Sequence, residues 1–118
     1  KMFGGAMHQA GILAAACLYA LDNQLDRLAE DHHHASMLAT KLDHPALKVN
    51  HPVDTNIVIM DVAGPGADQA LLNHLYNNGI LALGFGPGRV RLIPNLETST
   101  KDVRRVLDVL NSFSGEQN

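Results

Sequence analysis

The sequence predicts a small α+β domain, a mostly antiparallel sheet with helices against one face, entered through two consecutive helices. Three observations carry that reading. After the two opening helices the order runs strand, helix, two strands, helix, which is the pattern of an α+β sandwich. Apolar spacing is helical before residue 43 and again after residue 100, while β-branched residues crowd Thr55–Val62 and Arg89–Ile93. The chain has 118 residues, enough for one domain with a real core.

The first stretch, Lys1 to Leu21, opens with a cation and the pair Gly4-Gly5, then becomes small, apolar and almost uncharged. A helix is expected from about His8 to Leu21. Nearly every side of it is apolar, so it should be covered all round. A domain of this size has little room for that, so the expected cover is further chain or another subunit. Asp22-Asn23-Gln24 interrupts the run. A second helix follows over Leu25–Asp43, with Leu25, Leu28, Ala35, Leu38, Ala39 and Leu42 inward. Asp26, Arg27, Glu30, Asp31 and Lys41 lie on its outer face, where Arg27 and Asp31 can pair at i, i+4.

Asp43-His44-Pro45 ends that helix, because proline disfavours helix at the residue before it. Residues 45–54 read mainly as loop, with a short strand placed around Leu47-Lys48-Val49. Thr55–Val62 is the clearest strand, and Gly64-Pro65-Gly66 a turn. Asp68 is the expected cap of a helix carrying Leu71, Leu72, Leu75 and Tyr76, stopped by Asn78-Gly79. Ile80–Leu83 is a short strand, Gly84–Gly88 a loop, and Arg89–Ile93 a strand pairing back. Ser99 with Asp102 resembles a capping box. The last helix turns Val103, Val106, Leu107, Leu110 and Phe113 inward, and residues 114–118 are a tail.

Composition narrows the function. Nine basic against twelve acidic residues give a net charge of −3, which argues against a nucleic-acid surface. Tryptophan is absent and aromatics are few, so base-stacking platforms are not expected. The apolar run Ala10–Leu21 is too short for a bilayer, which takes about 20 residues. Cys17, the single cysteine, excludes an internal disulfide and suits a reducing cytosol. Set among Ala and Leu, it reads as a small buried apolar residue. The chain opens on Lys1 in the middle of a motif, so a longer polypeptide is expected.

Few residues suggest chemistry by themselves. A glycine turn feeding the first helix leaves backbone N–H groups free for an anion, and Lys1 and His8 add charge there. His32, His33 and His34 point about 100° apart on a helix, cannot share one metal, and read as a solvated face. Gly84-x-Gly86-x-Gly88 lacks the following helix of a dinucleotide fingerprint and reads as a hairpin loop. Arg89 and Arg91 share one face of their strand, with Val90 and Leu92 on the other. An arginine within an apolar strand needs a carboxylate or phosphate, and its planar fork suits a bidentate carboxylate. An internal salt bridge or an exposed edge strand meets the same need without a ligand.

The opening stretch resembles the segment R-K-M-x-G-G-x-M-R-Q-x-G-x-L-A-A-A-x-x-Y-A-L of the low-specificity L-threonine aldolases. The likeness continues through Arg27–His32, Asp54–Val58, Val90-Arg91-Leu92 and Leu96–Ser99. It implies the fold of the PLP-dependent transferase-like (fold type I) enzymes, with this chain as the C-terminal part. Residues 1–24 would then be the end of the large PLP-binding domain and an interface helix, and residues 25–118 the small C-terminal α+β domain. The family cleaves β-hydroxy-α-amino acids to glycine and an aldehyde with pyridoxal 5'-phosphate (PLP). Its cofactor-bearing lysine lies in a Ser-Lys-Gly-Leu-Gly-like motif that this sequence does not contain.

By the resemblance, Arg91 matches the arginine that grips the substrate α-carboxylate, and Lys1 a lysine near the cofactor phosphate. His8 stands where the family usually has Arg, and Asn95, after Pro94, replaces a Thr-His pair common in bacterial members. The implied protein is a cytoplasmic homo-oligomer, dimer or tetramer, acting on a small amino acid. Its rivals are another fold-type-I enzyme, a β-eliminating lyase or an aminotransferase, and a non-catalytic assembly module.

Overall fold

The computed structural model describes Gly5 and residues 7–115. The elements run α1 (Gly11–Asn23), a 3-10 turn (Leu25–Arg27), α2 (Leu28–Lys41), β1 (Leu47–Lys48), β2 (Val58–Val62), α3 (Ala67–Asn77), β3 (Leu83–Gly84), β4 (Arg89–Leu92) and α4 (Thr100–Asn111). The strands form one antiparallel sheet in the order β1-β2-β4-β3. The inward residues Val58, Met60, Val62, Val90 and Leu92 meet Ala35 and Leu38 of α2, Leu71 and Leu75 of α3, and Val103, Leu107 and Leu110 of α4. One face of the sheet is thus packed under three helices, as the alternation of β2 and β4 requires.

Several boundaries move, each for a local reason. The second helix does not start at Leu25; Arg27 N–H bonds to Gln24 O at 3.2 Å in a tight turn, and the α-helix begins at Leu28. Leu25 and Leu28, expected inward, are 53% and 49% exposed. They sit beside α1, whose principal contact is this turn. Arg27 pairs with Glu30 at 3.5 Å, not with Asp31. β2 starts at Val58 because residues 55–57 use side chains in place of ladder bonds. Ile57 N–H goes to Thr55 Oγ1 at 3.2 Å, and Asn56 Nδ2 goes to Pro94 O at 2.8 Å.

α3 ends in a Schellman motif: Gly79, at φ +73°, donates to Tyr76 O at 2.9 Å and Ile80 donates to Leu75 O at 2.9 Å. Ile80 is therefore spent on the helix end, and β3 begins only at Leu83. Asp68 does not cap α3. Gly66 holds that position at φ +70°, and Asp68 accepts from Gly88 N–H at 3.1 Å, tying the helix to the glycine loop. The capping box of α4 is present as read: Asp102 N–H donates to Ser99 Oγ at 3.3 Å and Ser99 N–H to Asp102 Oδ2 at 2.9 Å.

Two residues change sides. His34 is buried, 1% exposed, with Nε2 3.2 Å from Thr100 Oγ1, because α2 packs on α4 there; His32 and His33 are exposed. Cys17 is exposed, because α1 has no buried residue at all. Helix α1 itself starts at Gly11, with His8, Gln9 and Ala10 in a turn before it. Among the described residues no helix is long and apolar enough to cross a membrane.

Candidate functional site

Among the described residues the sheet's second face carries no helix, and β4 is one of its two central strands. Val90 and Leu92 point into the core at 0% and 5% exposure, so strand alternation puts Arg89 and Arg91 on the open side. Arg91 lies opposite Ile59 on β2 and Leu83 on β3, and Arg89 opposite Asp61. The loop before β4 adds Phe85, held in place by its N–H bond to Arg89 O at 2.9 Å. Both guanidinium carbons stand over that ring, at 5.9 Å for Arg89 and 5.5 Å for Arg91. Gly86 and Gly88, at φ +79° and +67°, supply the left-handed turns that fold the loop back under the arginines.

The charges on this face are unbalanced. Among the described residues neither arginine has an ion pair or a side-chain hydrogen bond, and Arg91 Nε is buried without any partner. A buried donor left unpaired costs about 1–3 kcal/mol, more than a ring contact worth about 0.5–1 kcal/mol returns. Asp61, the acid opposite Arg89 in register, accepts from Asn50 Nδ2 at 2.8 Å and forms no ion pair with either arginine. The face is therefore a positive, aromatic-backed surface built to accept a carboxylate or phosphate. Of the lysines, Lys41, Lys48 and Lys101 are all exposed.

Among the other residues read as site candidates, Lys1 lies outside the described residues. His8 is exposed in the turn ahead of α1. Gln9 follows it at φ +54°, the only described non-glycine residue in the left-handed region. Ala10 makes no side-chain cap, so among the described residues no side chain covers the first N–H groups of α1, the end of a helix that favours an anion. No hydrogen bond or ion pair among the described residues joins His8 to Arg91.

A cleft of about 300 Å³ lies elsewhere, between the sheet end and α4, lined by Leu38, Ile80, Leu92, Pro94, Thr98 and Val106. It contains neither Arg89 nor Arg91, and its own cation, Arg105, is bonded to Asn78 O at 2.6 Å. Sequence reasoning missed Phe85. Its only signal was an aromatic residue between glycines two positions ahead of a Pro-Gly turn. No group of three or more His, Cys, Asp or Glu among the described residues is placed to hold a metal ion.

Known proteins are similar to this chain over most of its length. The model of a family described as Beta-eliminating lyase matches residues 1–65. Low-specificity L-threonine aldolase 1 of Arabidopsis thaliana is 35% identical over 111 residues, which is 91% of this chain and 31% of that protein. Low specificity L-threonine aldolase of Escherichia coli (strain K12) is 38% identical over 106 residues, 90% of this chain and 31% of that protein. The chain thus spans just under a third of the length of these curated relatives.

Proposed function

The chain belongs to the beta-eliminating lyase family, and on that premise we propose that it is the C-terminal portion of a PLP-dependent aldehyde-lyase. The reaction would be cleavage of threonine or related β-hydroxy-α-amino acids to glycine and an aldehyde. The similarity to low-specificity L-threonine aldolases supports the reaction. The observation that carries it is Arg91: a guanidinium without an ion pair among the described residues, with a buried, orphaned Nε, set between the buried Val90 and Leu92 of a central strand.

The residues present fit the cofactor and its substrate in part. The orphaned Nε of Arg91 fits a substrate α-carboxylate, and the uncapped start of α1 with His8 beside it fits a phosphate. Lys1 would add a permanent charge to that phosphate site. Bound PLP would supply the electron sink that lets the Cα–Cβ bond break. Arg91 would orient the amino acid by a two-point grip on its carboxylate. Phe85, under the guanidinium, would keep that grip from swinging away. His8, exposed in the turn ahead of α1, would add a side-chain hydrogen-bond donor to that phosphate site. The lysine that bears the cofactor, the large domain and the homo-oligomer belong to the complete protein in this reading.

The test is Arg91→Ala in the intact protein, assayed for glycine and acetaldehyde from threonine. The variant should raise KM by about 100-fold, the loss expected when one partner of a hydrogen-bonded charge pair is removed, while the cofactor absorbance remains. An unchanged KM overturns the assignment of Arg91. The family model's own description favours one rival, β-elimination; ammonia release in place of glycine and aldehyde would establish it.

A further inference from the structure

The grip on one carboxylate needs one arginine, yet this face has two. Arg89 and Arg91 are two residues apart on β4, which sets their Cβ atoms about 7 Å apart on the same side. Their guanidinium groups converge on a single ring, Phe85. Arg89 lies back across the glycine loop: a Cβ placed on Gly86 would come within 3.6 Å of Arg89 Nη2. The acid opposite it in the ladder, Asp61, accepts a hydrogen bond from Asn50 Nδ2 and makes no ion pair with it. Two like charges held against one ring repel each other, and since Asp61 forms no ion pair with either, both guanidinium groups are left able to take a negative group.

We propose that Arg89 makes this a two-anion site, so that the protein favours an amino acid whose side chain ends in a second carboxylate over a neutral one. Arg91 takes the α-carboxylate, a role that rests on the function proposed above, and Arg89 takes the distal carboxylate. Phe85 lies beneath the short carbon chain between them. The site is thereby selective through a residue that Arg91 alone would not require.

Equilibrium binding of succinate and of propionate to the intact protein tests this, because the two probes differ by one carboxylate. Succinate should bind roughly tenfold more tightly than propionate, the gain of one well-placed charge-assisted contact. Arg89→Gln should erase that ratio, and Arg89→Lys should restore part of it. Arg89 is only half-buried, so neither variant should disturb folding. A ratio near one in the native protein, or a ratio unmoved by Arg89→Gln, overturns the proposal. Arg91→Gln should weaken both ligands; if propionate binds it as before, the role of Arg91 fails instead, which is a separate result.

Discussion

Helices α1 and α4 are nearly equal in length and opposite in design. α4 opens with a complete capping box and buries Val103, Leu107 and Leu110 beneath a charged outer face. α1 has no side-chain cap, no acidic residue in its first turn, no basic residue in its last and no buried residue. Its Ile12 is 81% exposed and its Leu18 60% exposed. A 3.6-residue stripe describes α4 because the surface it needs is present in this chain. α1 has no stripe to read, because apolar residues face every way. The contrast teaches that a helix's apolar pattern reports how much of its surface is to be covered, whether or not the cover is at hand.

The largest effect that would sharpen this contrast is a truncation in each helix. Leu110→Ala, at a site 1% exposed, should cost about 2–5 kcal/mol of unfolding free energy in a denaturant titration. Ile12→Ala should change the stability of the chain by less than about 0.5 kcal/mol. A comparable loss at both sites would show that α1 is covered in solution. Next in size is the cap: Ser99→Ala should remove about 1 kcal/mol by the same measurement. An unchanged midpoint would mean that the capping box does not stabilise α4.

The smallest effect is a pH dependence. Hydrogen bonds from the Ser99 side chain and backbone, with lesser help from Lys101 and Arg105, hold the Asp102 carboxyl below its ordinary range. A group depressed in the folded state adds stability above its unfolded pKa and loses it as pH falls through the folded one. Asp102→Asn should therefore flatten part of the acid limb of the stability curve below the ordinary carboxylate range. A limb of unchanged slope would contradict this.

Much of the fold was legible because its signals are local. The Ser99/Asp102 pair, the Asn78-Gly79 stop and the alternation through Val90-Arg91-Leu92 each depend on residues a few positions apart. What was missed depends on where distant segments meet. His34 looked like one of three solvated histidines until the α2–α4 contact placed Thr100 beside it. Asp68 looked like a helix cap because nothing local announces Gly88 as its partner. Ile80 looked like strand, but the Schellman bond that claims it was hidden in the stop signal itself. Of the site, Arg91 was readable as a charge on an apolar strand. Phe85, brought beneath it by the turn at Gly86 and Gly88, was not.

The edges of the sheet have a consequence for how copies of this protein meet. β1 and β3 are two residues each. An incoming strand finds almost no free row of N–H and C=O groups to zip onto, and Lys48 sits exposed on one of the two rims. Short, charged rims of this kind are how natural sheets resist stacking into fibrils. Among the described residues, copies crowded together therefore find little backbone seam along which to polymerise, and contact at these rims falls to side chains.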